Sequence, residues 1–364
     1  MTRSIQRRRR RLAAMVLGGW LALLASFANP ADAPFYQGKR ITVLINFTAG
    51  GPTDIEGRIV ARHLAKHIPG TPRIVVKNMP GAGGIAGTNY MGEVARPDGL
   101  TVAFFGPPLT QQLLQDSGLR VDLSEFVWLG GIGQPLVCYI RKDVGSGIDG
   151  AEDLLGLDEF KAGGIRPTTS TDLRLRMALE LLGAKYRYVS GYRGIANVVA
   201  GIMQNEVQYS CATILSFHQI IEPNLIRPGV AATLWYFPTT DADGEQVRDT
   251  RLEGIPTFVD VYEMLKGSKP EGELYEALRL INNYSVTMQR AAFVPAGTPD
   301  EAVGALRRAW EALPRDEGFV AEYTRLVKAP PDMVQAAAVQ AHVAAVHGTA
   351  PDTVAVIKRF LGGQ

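Results

Sequence analysis

The segment Ile41-Thr-Val-Leu-Ile-Asn-Phe-Thr-Ala-Gly-Gly-Pro-Thr-Asp54 joins a short apolar run, a Gly-Gly loop and a helix start. Ile41 to Phe47 reads as a strand buried on both faces. Gly50 and Gly51 permit a tight turn and a close approach of backbone to ligand. Thr53 and Glu56 have capping-box spacing, which predicts a helix beginning there. A glycine loop entering a helix turns backbone N–H groups outward at the positive end of the helix dipole, where a carboxylate or phosphate can bind. If Thr53 and Glu56 cap the helix themselves, the loop 47–52 rather than the helix end meets the ligand. The motif alone names neither the anion nor any reaction.

Other residues could do different chemistry. Gly81-Ala-Gly-Gly-Ile-Ala86 fits a loose dinucleotide fingerprint, which would make the protein an exported NAD- or FAD-type oxidoreductase. Against this, Asn78-Met-Pro80 separates the preceding strand from the first glycine. Asp98, the nearby acid, lies in a Pro-Asp-Gly turn rather than at the end of a second strand. His63 and His67 are spaced i, i+4 but lack the intervening glutamate of a zinc helix, and read as partly exposed helix residues. No Ser/His/Asp set stands out, and no metal or cofactor is expected. Arg193 and Arg166 are the best counter-charges for an anion. Asp54 either meets a ligand amine or supports its own helix start. Cys138 and Cys211 are the two cysteines. Both lie in apolar strand-like runs and read as buried free thiols, although an oxidising compartment would let them pair.

The elements that position these residues alternate. Strands are predicted at 41–47, 73–77 and 100–105, with helices at 54–68 and from the second glycine loop to about 94. This βαβαβ run implies a parallel sheet. Further strands are predicted at 127–132 and 136–140. A second βα series follows, with a helix opened by Thr168-Thr-Ser-Thr-Asp172 and strands at 186–190, 207–214 and 230–236. In Pro295-Ala-Gly-Thr-Pro299, Thr298 reads as a cap, Pro299 as the first helical residue and Glu301 as the partner of the box. The rest of the tail reads as helical.

Composition bounds the rest. Arg3 and Arg7 to Arg11, the apolar stretch Leu12 to Phe27 and Ala31-Asp32-Ala33 have the form of a cleaved signal peptide over residues 1–33, exported by the general or the twin-arginine route. Removing them takes away six Arg and one Asp and turns the formal net charge from +2 to −3. No basic patch for nucleic acid remains, and no later apolar run reaches membrane-spanning length. The 331 residues left exceed what one core usually serves, so two domains are expected.

Phe47-Thr-Ala-Gly-Gly-Pro-Thr-Asp54, Val76-Lys-Asn-Met-Pro-Gly-Ala-Gly-Gly84, Pro97-Asp-Gly-Leu-Thr101, Gly191-Tyr-Arg-Gly194 and Val294-Pro-Ala-Gly-Thr-Pro299 occur in an order and spacing that resembles the tripartite tricarboxylate transporter receptors, also called the Bordetella uptake gene family. The resemblance covers nearly all of the chain after residue 33. It implies an α/β fold, the two-domain Venus-flytrap periplasmic binding protein of type II-like form, with parallel-rich sheets flanked by helices. Residues 35–134 plus 240–364 would form one domain and 135–239 the other, with the helical tail on the first. The implied function is capture of a mono-, di- or tricarboxylate between the domains and delivery to integral-membrane permease subunits. The protein would be a periplasmic monomer, not an enzyme; a periplasmic sensor handing the ligand to a signalling partner is the alternative. The implied ligand residues are Phe47, Thr48, Ala49, Gly50, Gly51, Thr53, Asp54, Gly81, Ala82, Gly83, Gly106 and Pro107 on the first domain. On the second they are Thr168, Thr169, Ser170, Thr171, Asp172, Tyr192, Arg193, Gly194, Ala212 and Thr213. The family opens its second-domain helix with a Gly-x-Gly-Ser-like turn and a nearby His. Here hydroxyls of Thr168 to Thr171 stand in that place, without the His, and Arg193 replaces a Lys.

Overall fold

The computed structural model describes residues 33–241 and 245–362, so the signal-peptide stretch lies outside the described residues but for Ala33. Thirteen strands form two principal sheets and a small ribbon. The first sheet holds β1 (Arg40–Ile45), β2 (Arg73–Asn78), β3 (Thr101–Phe105), β4 (Val127–Gly133), β12 (Arg290–Val294) and β13 (Asp332–Gln335), in the order β13-β4-β12-β3-β1-β2. The second holds β5 (Leu136–Arg141), β6 (Phe160–Gly163), β7 (Tyr186–Val189), β8 (Tyr209–Thr213) and β9 (Ala231–Phe237), in the order β7-β6-β8-β5-β9. β10 (Thr239–Thr240) and β11 (Gln246–Val247) pair as the ribbon.

Both sheets are mixed. Each has a parallel trio built by βα crossovers, β2-β1-β3 and β7-β6-β8, extended by antiparallel strands. In the first sheet β12 runs antiparallel between β3 and β4, with β13 outside β4. In the second, β5 lies antiparallel between β8 and β9. β1, β3 and β8 are largely buried and read as apolar runs, whereas the outer strands β2 and β7 stay partly exposed.

The chain passes from the first sheet to the second within three residues, from Gly133 to Leu136. It returns after β9 through the helices Phe258–Lys266 and Glu273–Thr287 to Arg290. Those helices and the last one, Pro351–Gly362, form a layer with the helix Ser170–Leu182, while the helices Asp300–Ala312 and Glu317–Val327 pack on Pro52–His67 beside the first sheet. Under the first sheet Phe293 meets Phe105, Phe126 and Trp128 at ring-centroid distances of 5.3, 4.6 and 4.8 Å. Under the second, Trp235 and Phe258 are 5.9 Å apart. Rings of this size, fully buried, each stabilise by roughly 1.5–3 kcal/mol or more.

Three local readings change. The helix of the first motif begins at Pro52, with Gly51 as N-cap and no side-chain cap. Glu56 therefore sits in the second turn, turned into the core, and Thr53 and Glu56 form no capping box. Thr298 donates to Pro295 O at 2.8 Å, and the next helix begins at Asp300 without a side-chain cap. Val334 and Gln335, read as helical, end an edge strand, because Asp332–Gln335 finds open backbone groups on β4.

The cysteines are not free. β5 and β8 pair with Cys138 directly opposite Cys211, and the two form a disulfide. Spacing in sequence carries no trace of this cross-strand register.

Candidate ligand-binding site

A cavity of about 170 Å³ lies between the ends of the two sheets. It is built at the C-terminal ends of parallel strands, where open α/β sheets bind ligands. β1 leads through Phe47 and Thr48 into the helix Pro52–His67, β6 leads into the helix Ser170–Leu182, and β7 leads into the helix Ile195–Met203. Gly51, Pro52 and Thr53, then Thr169 to Asp172, then Gly194 to Val198 all line the cavity. Three helix N-termini thus converge on one space. The first and third carry no side-chain cap, which leaves the first-turn N–H groups of Thr53 and of Ile195 and Ala196 without a side-chain partner among the described residues.

Most of the expected residues meet here. Phe47, Thr48, Gly51, Thr53, Gly83, Gly106, Pro107, Thr169, Ser170, Thr171, Asp172, Gly194, Ala212 and Thr213 line the cavity. Ala49, Gly50, Asp54, Gly81, Ala82, Thr168, Tyr192 and Arg193 do not. Asp54 serves structure: it accepts from Gly50 N at 2.8 Å, from Arg58 Nε at 2.9 Å and from Asn78 Nδ2 at 2.9 Å. Burial alone would raise its pKa, but these bonds from Arg58, Gly50 and Asn78 hold it below the usual carboxylate value. Asn78 also donates to Phe47 O at 3.0 Å, so the second glycine motif pins the first in place. Arg166 is no ligand counter-charge: its Nη2 lies 2.6 Å from Asp116 Oδ2 and its Nη1 3.3 Å from Ala82 O. Thr168 joins it on Asp116 at 3.3 Å. Tyr192 donates to Glu206 at 3.1 Å, and Arg193 is exposed outside the cavity.

The glycine at 84 is required by close approach. Its φ is +101°, and a Cβ there would lie 2.4 Å from Asn46 Nδ2. Asn46 in turn donates to Gly84 O at 3.4 Å and Gly106 O at 3.2 Å, tying together the loops that follow β2 and β3.

Sequence reasoning missed the wall made by Tyr284, Ser285, Met288, Gln289 and Arg290. Arg290 is 4% exposed and Glu56 is 0% exposed. Arg290 Nε lies 3.1 Å from Glu56 Oε2. Glu56 Oε1 accepts from Gln134 Nε2 at 2.6 Å and from Tyr323 at 2.8 Å. Burial pushes the Glu56 carboxyl above its ordinary pKa, against the pull of Arg290, Tyr323 and Gln134. The only local signal was a basic residue heading the apolar run Arg290–Val294. That it meets Glu56 is a matter of tertiary contact.

The second wall carries further charge. Asp172 accepts from Arg166 N at 2.7 Å, Ile165 N at 2.9 Å and Thr169 Oγ1 at 2.7 Å, yet burial still raises its pKa. Arg174, one turn into the same helix, is 0% exposed and donates to Ser170 O at 3.2 Å and Asn282 Oδ1 at 3.0 Å, with no carboxylate partner among the described residues. Burial lowers its pKa to about 9, so it remains charged at neutral pH. A buried, unneutralised guanidinium behind Ser170 and three helix N-termini make this cavity favourable to an anion. Among the described residues no cluster of His, Cys, Asp or Glu suits a metal ion. His63, read as partly exposed, is 4% exposed and pairs with Glu322 at 2.8 Å.

No protein-family model matches the chain. It is 40% identical over 86 residues to a UPF0065 protein of Cupriavidus necator and 38% identical over 87 residues to the protein BugT of Bordetella pertussis. Those matches cover 24% of this chain and only 25% and 26% of the two relatives. A UPF0065 protein of Bordetella pertussis is 24% identical over 308 residues, covering 82% of this chain and 84% of that one. Among solved structures, the periplasmic binding protein BugD matches with a TM-score of 0.66 at 20% identity, over 90% of this chain and 99% of BugD. MatC of Rhodopseudomonas palustris with bound malate matches with a TM-score of 0.61 at 18% identity, over 87% and 99%. R. palustris Rpa4515 with adipate matches with a TM-score of 0.66 at 17% identity, over 89% and 97%. These likenesses establish the two-sheet α/β fold of periplasmic binding proteins.

Proposed function

We propose, from the premise that this chain is a homologue of the UPF0065 or Bug proteins and has the fold of the tripartite tricarboxylate receptors, that it is an exported solute-binding protein for a small organic carboxylate. The observation that carries this reading is the convergence of three helix N-termini, two of them uncapped, on one cavity backed by buried Arg174 and Arg290. Malate and adipate in two similarly folded proteins support the ligand class. Binding and release involve no covalent step.

We assign residues 35–134 and 240–364 to one domain and 135–239 to the other. Sheet membership and the two crossovers support the division of the strands, whereas the helices Phe258–Lys266, Glu273–Thr287 and the last helix Pro351–Gly362 pack on the helix Ser170–Leu182 of the other half. The hydroxyls of Ser170 and Thr171 and the N–H groups of Thr48 and Thr53 are the ligand's hydrogen-bond donors. Closure of the halves then buries the ligand and presents one surface to membrane permease subunits, with the protein acting as a periplasmic monomer.

Thermal-shift screening of the chain from residue 34 onward, against mono-, di- and tricarboxylates beside NAD(H) and FAD, tests this. A carboxylate at a hundred times its Kd stabilises by about 2.7 kcal/mol and raises the midpoint. Stabilisation by a nucleotide cofactor and by no carboxylate would refute the reading.

A further inference from the structure

We infer that Arg290 is the specificity-determining residue of this cleft and that it holds the second carboxylate of a dicarboxylate through its Nη2 edge. This rests on the carboxylate-binding reading above and adds to it the residue that selects a doubly charged ligand.

The first argument is the donor count of the guanidinium. Arg290 lines the cavity while 4% exposed. Its Nε faces Glu56 at 3.1 Å, and its Nη1 donates to Gln289 O at 2.7 Å. Nη2 makes no protein hydrogen bond among the described residues. Gly106 lies beside the guanidinium, and a Cβ there would stand 3.7 Å from Nη1. A buried guanidinium with one edge left to a cavity is costly unless an anion completes it.

The second argument is that the arginine is held from behind. Glu56 cannot swing into the cavity, because Gln134 and Tyr323 both hold its Oε1. Glu56 therefore pairs with the Nε side of Arg290 and leaves Nη2 without a protein partner among the described residues. Gln134 belongs to the crossover between β4 and β5, and its N–H donates to Val286 O at 2.8 Å, close to the return crossover. The group that orients Arg290 is thus part of the connection between the two halves.

The third argument is that the cavity offers two kinds of anion contact. Arg290 comes from β12, a different element from the three helix N-termini, so a ligand with two carboxylates can meet both.

Isothermal calorimetry on the chain from residue 34 onward tests the assignment. The probes are the straight-chain α,ω-diacids of four to eight carbons and the monoacids of equal length. The variants are Arg290→Lys and the double variant Glu56→Gln/Arg290→Gln, which removes both charges and strands neither. The wild type is expected to bind its best diacid about 10- to 100-fold more tightly than the matched monoacid. The double variant is expected to lose about 10- to 100-fold more affinity for the diacid than for the monoacid, and Arg290→Lys to retain part of the preference. Equal loss for both acids, no loss for either, or a wild type without diacid preference would overturn the assignment and leave carboxylate binding standing. A wild type that binds neither series, and no other carboxylate, overturns both.

Discussion

Asp116 and Arg166 form an ion pair across the two halves of the molecule, Oδ2 to Nη2 at 2.6 Å, with side chains 8% and 29% exposed. Asp116 follows β3 of the first sheet, and Arg166 follows β6 of the second. Arg166 also reaches Ala82 O, so one guanidinium joins the loop after β6 to two loops of the opposite half.

That pair is expected to slow opening of the cleft. Replacing Arg166 by Met should raise ligand off-rate about tenfold, equivalent to about 1.4 kcal/mol, with little change in on-rate. Partial exposure keeps the effect below that of a fully buried pair. Stopped-flow release of a bound carboxylate measures it, and an unchanged off-rate would remove the pair from the closure mechanism.

Reduction of Cys138–Cys211 should destabilise the fold by about 4 kcal/mol in the chain-entropy account, since the bridge closes a loop between positions 73 apart. Cys138→Ala/Cys211→Ala should unfold at correspondingly lower denaturant, and reductant should have no further effect on it. Equal midpoints for oxidised and reduced wild type would contradict this.

Gly84→Ala is expected to cost about 2–4 kcal/mol, from the left-handed backbone and the clash with Asn46 together. Adding Asn46→Ala should recover only the steric part. If the single variant melts like wild type, the loop conformation described for Gly81–Gly84 is wrong.

Acid sensitivity should trace in part to Asp316. Burial alone would raise its pKa, but the Phe319 N–H, His67 and His63 bring it below the ordinary 3.8. Its folded value lies below its unfolded one, so its stabilisation is present above about pH 4 and is lost as pH falls toward the folded value. Asp316→Asn should lower stability at pH 7 and flatten the slope below pH 4, as measured by urea denaturation across pH. Parallel curves for the two proteins would count against the assignment.

The alternating strands and helices, the glycine loops and the place where the helix of 170–182 begins were legible because each rests on local signals. Those signals are an apolar run, residues that tolerate unusual backbone, or a hydroxyl three positions before the N–H that it caps. The first and second motifs could be read separately, yet only the structure explains why they belong together: Asn78 binds Asp54 and Phe47 O. The same contact removes Asp54 from the ligand and makes it a brace.

What the sequence by itself determined, then, is the order of βα units and the loops that reach the cleft, since hydrophobic period and turn chemistry are properties of neighbouring residues. Tertiary structure decided the charges. It placed Arg290 beside Glu56, took Arg166 for Asp116, left Arg193 outside and set Cys138 opposite Cys211. Pairings of this kind depend on which segments fold against one another across 50 or more residues, and burial decides which charges must find a partner.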